Sequence, residues 1–134
     1  MRTTAVAAAM LAGVAFLVGV AAGRAQAPGE VKRTILLTKA LSAQGYNGIV
    51  GRGEVPVGMA GPTHFHHGDE LVVLLEGEVE VEIEGGTPVR VKAGEAMHVE
   101  AGKVHKPKSV GTVPAKFISV WVVEKDKPLA VNVP

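Results

Sequence analysis

Five histidines fall in one third of this 134-residue chain: His64, His66, His67, His98 and His105. His64 and His66 are separated by one residue. On a β-strand that spacing puts both imidazoles on one face, with Cα atoms about 6.5–7 Å apart, close enough to converge on one ion. Phe65 points the other way. Glu70 comes four residues after His66, and His105 sits between turns rich in proline and glycine. Three imidazoles and one carboxylate suit a borderline divalent transition metal: Fe2+, Mn2+, Ni2+, Zn2+ or Cu2+. The chain has no cysteine, which excludes thiolate nucleophiles, Cys-ligated metals, a disulfide scaffold and a lipoprotein anchor. A His-x-His pair on its own arises often by chance, and the competing reading is a set of loop histidines with no shared task. His67 has the wrong parity for the His64/His66 face and reads as a mouth-lining or solvent residue, or as a donor behind the ligands. His98 should point away from Met97 and Val99, as a partly buried structural histidine.

The elements that must position these groups are strands. Leu71–Leu75 is a continuous apolar run, the pattern of a strand buried on both faces. After Gly77 the chain alternates strictly, with Glu78, Glu80, Glu82 and Glu84 on one face and Val79, Val81 and Ile83 on the other. Period two means a half-buried strand. Gly85-Gly86 marks a hairpin with Val89–Lys92 as the return strand. A three-residue loop there would pair Val81 with Val91 and Ile83 with Val89, setting Glu82 opposite Arg90 and Glu80 opposite Lys92. Further strands are expected at Val31–Leu37, Gly48–Val55, Ala96–Glu100 and Lys116–Val123. The last is apolar on both faces and should be sandwiched, with Trp121 and Phe117 as core or pocket residues. Leu36–Ala43 could form one helical turn. Lys103, Lys106 and Lys108 read as a solvated rim that would attract an anionic ligand.

Lys and Arg total 14 against 13 Asp and Glu, a net charge of +1. That balance gives no electrostatic footprint for nucleic acid. Thr3–Gly23 is uncharged, follows Arg2, and precedes Ala25-Gln26-Ala27. This pattern reads as a secretory signal over residues 1–27, with an uncleaved membrane anchor as the alternative. Either reading puts a single domain, 28–134, outside the cytoplasm, periplasmic or secreted.

Wider spacing turns the histidines into two ordered motifs. Gly58 is followed by five residues, His64-Phe65-His66, three residues, Glu70, six residues and Gly77. After a short spacer come Gly94, five residues, Glu100-Ala101-Gly102, two residues, His105, three residues and Ser109. These resemble the two motifs of the cupin superfamily, with Glu100 where the family usually has Pro and Ser109 where it usually has Asn. The resemblance covers about Gly48–Val123. It implies an all-β double-stranded β-helix, the jelly-roll cupin barrel, with His64, His66, Glu70 and His105 as metal ligands inside the barrel mouth. Four donors leave two neighbouring positions open on an ion that often takes six. That suits a quercetin-dioxygenase-like oxygenase, with Glu70 as ligand or as catalytic base. The alternatives are a redox-neutral isomerase or lyase, and a non-catalytic cupin binding a sugar, a phenolic compound or the metal. The implied partners are a small-molecule ligand or substrate and a second copy of the chain paired through sheet edges. The membrane is a partner only if the leader stays uncleaved.

Overall fold

The computed structural model describes residues 31–134. The leader at 1–27, including its expected cleavage junction, lies outside the described residues.

Ten strands follow in order: β1 Lys32–Ala40, β2 Tyr46–Val55, β3 His64–Phe65, β4 Gly68–Glu76, β5 Glu78–Ile83, β6 Val89–Lys92, β7 Ala96–Val99, β8 His105–Ser109, β9 Ala115–Glu124 and β10 Val131–Asn132. They form two five-stranded antiparallel sheets. The first has the order β1-β2-β9-β4-β7 and the second β10-β3-β8-β5-β6. Chain neighbours β4 and β5 lie in different sheets, so the chain crosses between layers at Gly77. That glycine has φ 76°, and a Cβ on it would lie 2.7 Å from the Pro114 carbonyl oxygen. Positive φ and close backbone approach together leave room for glycine alone. The other motif glycines, Gly58, Gly94 and Gly102, also have positive φ.

The core draws on both sheets: Val55, Leu74 and Ala115 from the first, Val79, Val81 and Val91 from the second. Fully burying each valine or leucine contributes roughly 1.5–3 kcal/mol. The glutamate face of β5 looks outward, as its alternation requires.

Four local expectations are corrected. No helical turn forms over Leu36–Ala43, because β1 runs to Ala40 and pairs with β2 as far as Ala40↔Asn47, past a bulge between Ile35 and Leu37. A ten-residue partner strand satisfies those backbone groups, whereas one isolated turn bears the nucleation cost of a helix. The β4 strand is buried on one face only. Val72 and Leu74 are buried, while Leu71, Val73 and Leu75 are 48%, 44% and 54% exposed. The β9 strand is likewise not sandwiched: Ser119, Trp121 and Val123 point inward and are buried, and Ile118, Val120 and Val122 are half-buried on the outside. Among the described residues no layer covers that outer face. Finally, the β5–β6 hairpin pairs Val79 with Val91, Val81 with Val89 and Glu80 with Arg90, two residues from the expected register. The Gly86 N–H closes a turn on the Ile83 carbonyl, so Ile83 belongs to the turn on the β6 side, while its other edge pairs with His105 of β8. A slip of two keeps every side chain on its face, which is why the alternation is satisfied in both registers.

Candidate metal centre

Each sheet supplies part of one cluster. His64 on β3 pairs directly with His105 on β8, which brings their rings to 4.3 Å between centroids. His66 lies just past β3. Its carbonyl accepts the Gly102 N–H at 2.9 Å, and the turn before His105 is closed by Lys103 N–H to the Glu100 carbonyl at 3.1 Å. Two main-chain hydrogen bonds thus shape the turn at which Glu100 stands in place of proline. Glu70 comes from β4 in the opposite sheet, in register with Trp121 on one side and Val99 on the other. At Gly68, between His66 and Glu70, a Cβ would collide with the Val122 carbonyl. That close approach of backbone holds the His66–Glu70 segment against β9.

The ligand atoms of His64, His66 and His105 all lie within 4.8 Å of one another, and all three residues are buried. Glu70 is buried beside them, with Oε2 at 3.2 Å from His66 Nε2 and 3.3 Å from His105 Nε2. Each imidazole is oriented from behind by a main-chain carbonyl. The Nδ1–H of His64 donates to Pro62 O at 2.8 Å, that of His105 to Lys103 O at 3.0 Å, and that of His66 to Leu129 O. A carbonyl can only accept, so the proton of each neutral ring sits on Nδ1 and the Nε2 lone pair is left for the centre. This is the arrangement that fixes the tautomer and direction of metal-binding histidines.

The electrostatics agree. Burial pushes the His64 imidazole down to about 4, against the hydrogen bond to Pro62, so at neutral pH it is an uncharged donor. Burial pushes the Glu70 carboxyl up, but the contacts with His105 and His66 outweigh this and hold it well below the usual carboxylate range. Three imidazoles and one carboxylate buried together form a donor set that fits a divalent transition metal.

The centre opens onto a cavity of about 60 Å³ between the sheets, lined by His64, Glu70 and His105 at one end and by Val72, Val81 and Phe117 along its walls. A single water needs roughly 10–15 Å³, so the space within the barrel holds about four to six waters or a ligand fragment of a few heavy atoms, and it is open to solvent at its mouth.

The family described as the Cupin domain matches residues 51–122. This chain is a cupin. Solved structures share the fold of this cupin. An uncharacterized conserved protein with a double-stranded β-helix domain from Klebsiella pneumoniae is 24% identical, over 78% of this chain and 80% of its own, with a TM-score of 0.65. The DMSP lyase DddQ from Ruegeria pomeroyi is 20% identical over 77% of this chain, which spans 51% of that protein, with a TM-score of 0.64. KdgF from Halomonas sp. is 21% identical over 74% of this chain and 83% of its own, with a TM-score of 0.60. No curated protein matches the sequence.

The cupin's remaining sequence-marked residues sort themselves by position. His67 is partly buried and packs its ring on Phe65 at 5.2 Å, away from the cluster. His98 is exposed rather than partly buried, and pairs with Asp69 at 2.7 Å. Leu71, its register partner, is exposed too, because among the described residues nothing packs on that face. Lys106 and Lys108 stand opposite Glu82 and Glu80 on the outside of the second sheet, not at a rim of the cavity. Ser109 is fully buried and its Oγ has no partner among the described residues. Its backbone does the positioning, with Ser109 N–H donating to Met59 O at 2.9 Å and Gly58 N–H to Ser109 O at 3.2 Å. Trp121 turns out to be part of the site: its indole N–H donates to His66 Nε2 at 3.3 Å.

Proposed function

We propose that this cupin is an extracytoplasmic, divalent-metal-dependent oxygenase of small molecules, with His64, His66, His105 and Glu70 as metal ligands. The observation that carries the metal reading is the convergence of three buried imidazoles, each held at Nδ1 by a main-chain carbonyl, beside a buried carboxylate. A bound metal would supply a Lewis acid and, in a redox-active form, a route for electrons to dioxygen. The chain's own part is to present fixed donors and to surround a ligand with apolar walls. The cavity size favours a ligand that puts only a few heavy atoms inside the barrel, so an intact flavonoid is a poor candidate and small diketones, catechols and keto acids are better ones.

A second reading is supported by Glu70. It stands at the edge of the three-histidine set, lines the cavity and is ionised. A carboxylate so placed can accept a proton from a metal-polarised ligand, the step required of a redox-neutral lyase or isomerase.

Purified protein is expected to carry about one divalent transition metal per chain, and His64→Ala or His105→Ala to remove it, as read by elemental analysis. Equal metal content in the wild type and a His64→Ala/His66→Ala double variant rejects the centre. Oxygen uptake with small diketones, catechols and keto acids, compared across iron, manganese and nickel forms, supports the oxygenase. Turnover of the same compounds under strict anaerobiosis supports the lyase or isomerase instead. Fractionation of cells making the full chain should find a processed protein outside the cytoplasm; an unprocessed cytoplasmic product overturns that placement.

A further inference from the structure

The cavity has a cationic side that the metal motifs do not include. Arg33 on β1 lines the same cavity as His64, Glu70 and His105. Its guanidinium carbon lies 5.4 Å from the centre of the Trp121 ring, and the indole nitrogen of that ring is 3.3 Å from His66 Nε2. One aromatic ring thus separates the guanidinium from the centre.

The strand between Arg33 and the aromatic residues is built to allow this. Arg33 pairs with Gly53, and Gly53 with Phe117 of β9. Both Gly51 and Gly53 face inward and are buried. A Cβ at Gly53 would collide with the Phe117 ring, and one at Gly51 would come within 2.9 Å of the Trp121 ring. With no side chains on the inner face of β2 here, the two rings lie across it and Arg33 reaches over them from the neighbouring strand. Glycine inside a strand is otherwise a cost, so a pair at alternate positions marks a close approach.

Arg33 is also unpaired. Among the described residues no carboxylate lies within 4.0 Å of it, whereas Arg90 on the outer face of the second sheet has both Glu78 and Glu80. A guanidinium seated on an indole keeps its in-plane N–H groups free, and these form a two-pronged fork matched to a carboxylate.

We propose that Arg33 is the anion-recognition residue of this cupin and that its ligand is a small carboxylate: the carboxylate binds Arg33 at the mouth, and the rest of the molecule extends past Phe117 toward His64 and His105. The substrate-class part of this inference rests on the function proposed above. The anion site itself stands on Arg33, Trp121 and the cavity, and can be tested with or without metal.

Trp121 is the sole tryptophan, so its fluorescence reports directly on the ring beneath Arg33. The experiment titrates the purified protein, in metal-loaded and metal-stripped forms, with lactate and malonate and with their neutral amides, following tryptophan emission at constant ionic strength. The expected result is a saturable response to the carboxylates and a weaker or absent one to the amides. Arg33→Gln should weaken carboxylate binding about ten- to a hundred-fold, the range for losing a charge-assisted hydrogen-bond pair. Arg33→Lys should recover part of it, and metal content should be unchanged in both variants. No saturable response in the wild type at tens of millimolar, equal binding of acids and amides, or wild-type carboxylate affinity in Arg33→Gln each overturns the proposal. Absence of metal with Arg33-dependent carboxylate binding intact would instead remove the metal reading and leave the anion site standing.

Discussion

The two sheets differ in how they separate inside from outside. In the second sheet parity does it: Val79 and Val81 face the core, while Glu78, Glu80 and Glu82 face solvent beside Arg90, Lys106 and Lys108. The first sheet is apolar on both faces, with Leu71, Val73 and Leu75 open to solvent on the outside of β4 and Val72 and Leu74 buried within. Yet it is this less legible sheet that supplies Glu70, Phe117 and Arg33 to the cavity, facing the histidines His64 and His105 of the other. Composition of a strand therefore reports burial only where the two faces differ in chemistry. Where both are apolar, the partner layer decides.

The largest effect that would break this contrast lies within β4. Leu74→Ala should cost about 2–5 kcal/mol and Leu75→Ala less than about 1 kcal/mol in urea unfolding, because only the first leaves a cavity in a packed core. Similar losses at both positions would mean that the outer face is covered after all. Next is the meeting point of the sheets. In metal-stripped protein His64 is held neutral down to about 4 by burial, against about 6.5 in an unfolded chain. The unfolded state binds the extra proton between those values, so stability should be complete above pH 6.5 and fall by on the order of 3 kcal/mol as the pH drops to 4. Glu70, held below its ordinary range, adds a loss of the same sign at lower pH. Unfolding midpoints that stay flat from pH 7 to 4.5 would contradict a buried, neutral His64. The smallest effect belongs to the outer face of the second sheet. Arg90→Gln removes contacts to Glu78 and Glu80 at 3.4 and 3.0 Å, yet these are solvent-exposed pairs and the unfolding midpoint should not measurably move. A clear loss there would show that the charged ladder contributes to the barrel.

Some of this molecule could be read directly from the order of its residues. The spacing of His64, His66 and His105 pointed to the three histidines that the fold brings together, because alternation along a strand and the positions of the turns are local properties. The face of each residue in β5 and β6 was legible for the same reason. The hairpin register was not: parity survives a slip of two, and the turn closed by the bond from Gly86 to Ile83 sets it. Nor did sequence mark Arg33 as belonging to the cavity, and it left Phe117 and Trp121 open between core and pocket. The signal for Arg33 was the pair of glycines in β2, whose meaning appears only when β1, β2 and β9 lie side by side. The exposure of Leu71 and His98 depended likewise on the absence, among the described residues, of any layer over the first sheet. Local pattern determines which way a side chain points, since that follows from backbone geometry alone. What it meets there depends on strands far away in the chain, and only the assembled barrel decides it.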